Sequence, residues 1–312
     1  MFTDEASGIP LRSRVHQRVG RVDATTVCMP VRITALAALY SDDAMNRRRP
    51  PLAVYGGALV SILLVAISLA GILGPATYAR ETPNWSTQAV AQDWFDLIVV
   101  APALFLTALW AARGSRRGQL VFAGVLLDTI YTLVIYAFAV HLNSLFLVYC
   151  AALGVAIYTL IGLAHAIARE GVERVEFRPP RRIAGGFLIG VGIAFSGLWL
   201  LQLIPAALTG REPADLAETG LLTNPVHVID LSFILPLHVI AGIALWRRRP
   251  IGQLLAPVVL AFGALMSASI GVLVIMMEAR GIAGGGYPIA AAMAAVAILS
   301  SALLVASLRS HR

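Results

Sequence analysis

Eight long apolar segments constrain this chain more than any other feature of its sequence. They lie at about 52–74, 92–112, 118–140, 143–166, 183–206, 225–246, 251–277 and 287–308. About 20 apolar residues in helical conformation cross the hydrocarbon core of a bilayer. Only 13% of the residues are charged, against roughly a quarter in soluble domains. The sequence therefore predicts an all-α, polytopic integral membrane protein with about eight transmembrane helices, surrounded by the lipid bilayer.

The basic residues are distributed unevenly between the two sides of this predicted protein. All 24 are arginine, so the chain has no lysine for Schiff-base chemistry. The termini and alternate loops contain 21 arginines, whereas the intervening loops contain only Arg80, Arg211 and Arg280. The positive-inside rule then predicts a cell-membrane protein whose N-terminus and C-terminus are both cytoplasmic. Topology thus explains the net charge of +7, and we expect no nucleic-acid partner.

The N-terminal region differs in composition from the rest of the chain. Residues 1–44 are polar and irregular, which predicts a disordered tail, and an arginine-rich stretch follows Met45. One hypothesis is that translation starts at Met45. An alternative is a signal peptide over 45–79 that is cleaved, although its apolar run exceeds the usual 7–15 residues or so. We predict a single transmembrane domain over 45–308 and a cytoplasmic tail over 309–312.

Similar motifs recur in the two halves of the chain in the same order. An Arg-Pro-Pro motif precedes the first and fifth segments, and an Asp precedes a Pro by six residues in the second and sixth. Matching positions include Arg49 and Arg178, Pro75 and Pro205, Asp96 and Asp230, Pro102 and Pro236, and Gly118 and Gly252. With Trp110 and Trp246 included, the offset drifts only from 129 to 136. We predict two tandem four-helix repeats, about 49–166 and about 178–308, in parallel orientation because each has an even number of helices.

Ionisable side chains inside the apolar segments are the first candidates for a site, because they are costly in a bilayer. Asp93 and Asp96 align with His227 and Asp230 in the repeats, and each pair is spaced i, i+3 on one helix face. Asp128 lies near the centre of the third segment. These five residues form the predicted polar site, which suits a cation or a proton.

Structural explanations compete with this prediction. Asp93 and Asp96 could cap the first turn of their helix, or pair with Arg80 and Arg211. Asp128 could make a hydrogen bond between helices, since a buried carboxyl group needs a partner or a proton.

Four further residues are secondary candidates. His141 and Glu278 lie at outer turns, where they could complete a metal or proton site or simply be solvated. His238 shares a helix stripe with His227, which permits metal or haem ligation or a hydrogen-bonded histidine, and Tyr131 shares a face with Asp128. The tryptophans lie near predicted interfaces and are interpreted as an aromatic belt: Trp85, Trp94, Trp110, Trp199 and Trp246.

These features favour a small transporter or channel-like protein for a cation, a proton or a small solute. Its polar site would lie in the outer half, between the repeats. One alternative is a non-catalytic partner or sensor subunit of another membrane protein. A second alternative is a membrane-embedded enzyme that depends on a metal or on carboxylates. No motif requires a cofactor, since the sequence has no GxSxG, HExxH, P-loop or paired CxxC motif.

Overall fold

The computed structural model describes residues 51–169, 181–282 and 286–309. Every regular element in these residues is a helix, and they contain no strand. The predicted tail over 1–44, the hypothetical start at Met45, the motif residues Arg49 and Arg178, and residues 310–312 lie outside the described residues. The predicted all-α class is confirmed for the described part of the chain.

The described residues form nine helices. They are α1 (Pro51–Leu73), α2 (Pro83–Ala112), α3 (Arg116–Ala139), α4 (Phe146–Arg169), α5 (Arg181–Thr209), α6 (Ala214–Thr219), α7 (Pro225–Trp246), α8 (Pro250–Ala279) and α9 (Gly286–Leu308). All except the short α6 are long and apolar enough to cross a membrane. The count of eight such helices is confirmed, and their length and composition indicate a membrane protein.

Helix α2 begins well before the apolar segment that predicts it. The Thr82 hydroxyl accepts a hydrogen bond from the backbone N–H of Trp85 at 3.2 Å, and Pro83 occupies the first turn. Both residue types favour helix starts, but the residues that follow include Asn, Ser, Thr and Gln and are therefore not apolar. Asp93 and Asp96 lie more than two turns inside the helix, so the alternative that they cap its first turn is wrong.

The helices form two groups with separate apolar cores. In the first group, α1 packs against α2 and α4, and α3 packs against the same two helices. Leu64 and Phe122 are fully buried in this core. In the second group, α7 packs against α5 and α8, and α8 packs against α9, with Leu245 and Leu260 fully buried between them.

Helix α8 joins the two groups because it also packs against α2 and α3. Gly124 of α3 permits a close approach, since a Cβ at this position would lie 2.5 Å from a backbone oxygen of α8. A third, small core lies at this junction and consists of Leu127, Tyr131, Ile234 and Phe262.

Helices α2 and α7 contain the same irregularity. Asp96–Val100 and Asp230–Ile234 are π-helical, and in each the Asp carbonyl accepts a hydrogen bond from the residue five positions later. Pro102 or Pro236 follows within two residues of each segment, and proline removes an N–H donor from the helix. Single π turns occur frequently at functional sites, and here each begins at a candidate acid.

The turns that follow α2 and α7 also share their geometry. Gly114 and Arg248 both have left-handed backbone conformations, with φ values of 74° and 56°. A Cβ on Gly118 or Gly252 would lie 2.8 or 2.2 Å from the backbone of the preceding helix. Arg248 and Gly252 lie 134 residues after Gly114 and Gly118, and the second π segment lies 134 residues after the first. Glycine adopts the left-handed conformation readily, whereas arginine does so at a cost.

Candidate functional site

Asp93 of α2 is fully buried and accepts hydrogen bonds from two tyrosines. The Tyr78 hydroxyl donates to Oδ2 at 2.7 Å, and the Tyr136 hydroxyl donates to Oδ1 at 2.8 Å. Gly71 of α1 makes room for the carboxyl group, because a Cβ there would lie 1.8 Å from Oδ2. Tyr78 lies in the segment between α1 and α2. Burial, and then the nearby charge of Asp93, raises the pKa of Tyr78, so its hydroxyl remains a donor.

The arginines at this end of the helices do not pair with Asp93. Arg80 Nη1 contacts the carbonyl oxygen of Leu142 at 3.5 Å. Arg211 is exposed in the segment between α5 and α6. The alternative in which these two arginines neutralise Asp93 and Asp96 is therefore wrong.

Asp96 begins the π segment of α2, and only one of its carboxyl oxygens has a partner. The Gln92 side chain donates to Oδ1 at 2.8 Å, and the Ser269 hydroxyl of α8 donates to the Gln92 side-chain oxygen. Oδ2 is buried and has no hydrogen-bond partner within the described residues. Such an unsatisfied acceptor costs about 1–3 kcal/mol, and more when it is charged. A bound proton or small cation would satisfy it.

Asp128 lies near the middle of α3 and is only 2% exposed. No residue in the described ranges donates a hydrogen bond to its carboxyl group, so the alternative of a structural bond between helices gains no support. Asp128 interacts electrostatically with another acid, Asp96. Tyr131 shares a helix face with Asp128, as predicted, but its hydroxyl donates to Asp230 instead.

Asp230 of α7 accepts hydrogen bonds from side chains of two other helices. Trp199 Nε1 of α5 donates to Oδ2 at 2.8 Å, and the Tyr131 hydroxyl of α3 donates to Oδ1 at 3.1 Å. The predicted helix start is present, because Asn224 caps the helix and Pro225 occupies its first turn. Asp230 thus resembles Asp93, since two neutral donors hold each carboxyl group.

His227 extends this site towards α6. Its ring contacts that of Trp199, with 4.5 Å between the ring centroids. Nε2 is buried, lies 3.8 Å from Oδ2 of Asp215 and has no hydrogen-bond partner within the described ranges. Asn224 donates to the same Asp215 oxygen at 3.1 Å. His227 therefore lies between two partly buried acids, Asp230 and Asp215.

His238 lies further along α7 and does not join His227. Its Nδ1 is 2.8 Å from the carbonyl oxygen of Ile234, and this nitrogen carries the proton because a carbonyl can only accept. A Cβ on Gly263 would lie 3.7 Å from His238 Nε2 and 3.6 Å from the hydroxyl oxygen of Ser300. Within the described residues, no three or more His, Cys, Asp and Glu side chains are grouped as a metal would require. Metal ligation by the histidine stripe therefore gains no support.

His141 and Glu278 have different neighbours. His141 Nδ1 lies 3.0 Å from Glu81 Oε2, and its backbone N–H donates to Glu81 Oε1 at 2.8 Å. A Cβ on Gly286, at the start of α9, would lie 3.8 Å from Glu278 Oε1. Neither residue belongs to a group of three or more potential metal ligands within the described residues, so a metal site at either position gains no support.

Several residues of the site could not be identified from the sequence. Trp199 does not merely anchor the chain at an interface, because its indole donates to the partly buried carboxyl group of Asp230. Tyr78 lies outside the apolar segments, and Tyr136 lies eight residues after Asp128 on the same helix, where nothing in the spacing indicates a bond to Asp93. Gln92 offered the clearest signal, since it lies one helical turn before Asp96 in the sequence.

Asp93, Asp96, Asp128 and Asp230 together form what we call the acidic cluster. Asp96 interacts electrostatically with Asp93 and with Asp128, and Tyr131 interacts with Asp128 and with Asp230. Asp96 and Asp230 are therefore linked through Asp128 and Tyr131 rather than by direct contact. No arginine within the described ranges forms an ion pair with the cluster. The cluster is an acceptor-rich site that can bind a proton or a cation.

A comparison with protein-family models, curated proteins and solved structures finds no match to this chain. No activity is therefore transferred from a relative.

Proposed function

We propose that the chain is a small transporter or channel-like protein of the membrane, and that its acidic cluster binds and transfers a proton or another monovalent cation. One observation carries this proposal: three buried carboxyl groups and the partly buried Asp230 lie in neighbouring positions, and no arginine in the described residues neutralises them. Asp230 is the most accessible of the four and is still held by two neutral donors.

The cost of buried charge gives the site its selectivity. Burying an ionised carboxyl group without a counter-charge is strongly unfavourable, so a buried acid takes up a proton or binds a cation. Anions are repelled by the same groups. The acidic cluster therefore favours small cations and protons over other solutes.

The four acids divide into two kinds by their hydrogen bonds. Asp93 and Asp230 each accept from two neutral donors, which offset part of the cost of a negative charge at these positions. Asp96 has one unpartnered oxygen and Asp128 has no donor among the described residues. We assign binding and release of the transferred ion to Asp96 and Asp128, while Asp93 and Asp230 supply the surrounding negative potential.

We further propose that α1–α4 and α5 with α7–α9 are two tandem, parallel copies of one four-helix unit. The common offset of 134 residues supports this duplication, because it relates the π segments, the left-handed turn residues Gly114 and Arg248, and the close glycine contacts. A duplication also explains why Arg248 has a glycine-like backbone conformation. The site then lies at the junction of the two copies, where transporter repeats commonly place it.

The distribution of arginine supports a cell-membrane location with both termini in the cytoplasm. On this topology, Asp93 and Asp230 lie towards the outer ends of α2 and α7. Asp128 lies near the centre of the bilayer.

Ion flux into vesicles tests the proposed function. Purified chain is reconstituted, and a pH or cation gradient drives flux that a pH-sensitive dye or an ion-selective electrode reports. Asp96→Asn and Asp128→Asn should each lower the flux by more than about tenfold, the change produced by a barrier higher by about 1.4 kcal/mol. Glu212→Gln removes an exposed charge outside the cluster and is the matched control. Wild-type flux in folded Asp96→Asn/Asp128→Asn protein would refute the proposal.

A second candidate is a partner or sensor subunit, and α5 favours it. Only 11% of the apolar stretch of α5 is buried within the chain, against 28% to 72% in the other candidate spans. Among the candidate spans of the described residues, α5 therefore has the smallest buried share, which leaves most of this stretch available to another protein. Leu201→Cys on α5 should then form specific cross-links in membranes, whereas Leu147→Cys on α4 should not, although the two leucines are 78% and 77% exposed. Equal cross-linking at both sites would refute this candidate.

A further inference from the structure

A cleft of about 680 Å³ opens beside the end of α1. Its walls are the last turn of α1, the segment that follows it, and the residues that connect α3 to α4. This volume is within the range of roughly 300–1,000 Å³ typical of small-molecule sites. Because α1 is a candidate membrane span that ends at Leu73, the cleft lies where such a span meets the membrane surface.

One side of the cleft is apolar and exposed. It consists of Leu69, Leu73 and Leu142, which are 40%, 73% and 68% exposed. Leu69 lies four residues before Leu73, or about 6 Å deeper along the helix axis. This wall therefore offers a path for an alkyl chain running from the helix end towards the bilayer interior.

The other feature of the cleft is a cation with no acidic partner in the described part of the chain. Arg80 lines the cleft and is exposed, and its hydrogen bond to the Leu142 carbonyl is long at 3.5 Å. The adjacent carboxylate, Glu81, is held by the side chain and backbone of His141. The Arg80 guanidinium therefore retains free N–H donors in the fork geometry that matches a phosphate group.

We propose that this cleft binds one phospholipid with an anionic headgroup. Its phosphate pairs with Arg80, and one acyl chain lies along Leu73 and Leu69. Charge complementarity determines the headgroup, because the arginine has no acidic partner among the described residues, and the leucine wall determines that the ligand is an amphiphile. The proposal rests on membrane insertion but not on ion transfer, so it survives if the acidic cluster proves inactive.

Native mass spectrometry of the full chain in detergent provides the test. The protein is titrated with phosphatidylglycerol and, separately, with phosphatidylcholine of the same acyl chains. Phosphatidylglycerol should bind the wild type more tightly, and Arg80→Gln should weaken that binding by about tenfold, as expected for loss of a charge-assisted bond. Arg211→Gln, which removes an exposed arginine outside the cleft, should leave the binding unchanged.

Two further measurements separate the sources of this affinity. Leu73→Gln places an amide on the apolar wall and should weaken binding of both lipids, which tests the site even if Arg80→Gln folds poorly. Inorganic phosphate at millimolar concentration should not displace phosphatidylglycerol. Equal effects of Arg80→Gln and Arg211→Gln, no preference between the two lipids, or full displacement by phosphate would each overturn the proposal.

Discussion

The two hydroxyl groups that hold Asp93 give the most direct test of the structure. Tyr78→Phe and Tyr136→Phe each remove a single oxygen and leave the ring in place. Asp93 is 0% exposed, so water cannot easily replace the lost donor. The hydroxyl–carboxyl distances of 2.7 and 2.8 Å are short enough for strong bonds to a charged acceptor.

The size of the effect depends on the charge of Asp93. A hydrogen bond to a charged group contributes about 1.5–3 kcal/mol, whereas one to a neutral group contributes about 0.5–1.5 kcal/mol. With a fixed carboxylate, each single variant should lose about 2 kcal/mol of unfolding free energy. The double variant should lose more than the two singles combined, because it leaves a buried anion with no donor.

Unfolding in mixed detergent micelles, followed by tryptophan fluorescence, measures these differences. Tyr55→Phe is the matched control, since Tyr55 is 72% exposed and its replacement should change stability by less than about 0.5 kcal/mol. The same tyrosine variants made in an Asp93→Asn background should have smaller effects, because the charged acceptor is gone. If Tyr78→Phe and Tyr136→Phe behave like Tyr55→Phe, the assignment of Asp93 as a fixed anion is wrong.

Three further predictions follow from local geometry. Burial raises the pKa of Tyr78 in the folded state, whereas in the unfolded state this pKa is about 10. The contribution of Tyr78 to the free energy of unfolding is therefore intact below about pH 10 and falls above it by about 1.4 kcal/mol per pH unit. The free energy of unfolding of Tyr78→Phe, measured as the pH is raised, should lack this extra decrease. Gly114→Ala should lower the free energy of unfolding by about 1 kcal/mol, because Gly114 has a left-handed φ of 74°. Gly154 lies in a helix with open space around it, so Gly154→Ala should leave the free energy of unfolding unchanged or raise it. Thermal unfolding of the two variants measures the difference. Gly71→Ala would place a Cβ 1.8 Å from Asp93 Oδ2, so most of the folded protein should be lost from the monodisperse peak on size-exclusion chromatography. A yield of folded protein equal to that of Gly154→Ala would contradict the close contact of Gly71 with Asp93.

The helices themselves were largely predictable, because apolar length is a local property of the sequence. The segment predicted at 225–246 has the same bounds as α7 (Pro225–Trp246). Helix α2 was predicted too short, since its first turns are polar. The Thr82-Pro83 pair was the available signal for its true start.

The candidate acids were also recognisable from sequence, because ionisable groups in apolar helices are rare and costly. Their partners were not. The donors to Asp93 lie 15 and 43 residues away in the chain, and those to Asp230 lie 31 and 99 residues away. Such separations have no periodic signature. Hydropathy and spacing therefore could not show whether each carboxyl group caps a helix, pairs with an arginine or accepts hydrogen bonds from tyrosine and tryptophan.

The sequence by itself determined that eight apolar helices form and that carboxyl groups lie within them, because both depend on residues close together in the chain. Only the tertiary structure decided that tyrosine and tryptophan hold Asp93 and Asp230, and that Asp96 and Asp128 lack comparable donors among the described residues. The physical reason is that hydrogen bonds between helices depend on which faces pack together, and α8 sets this packing where the two groups of helices meet.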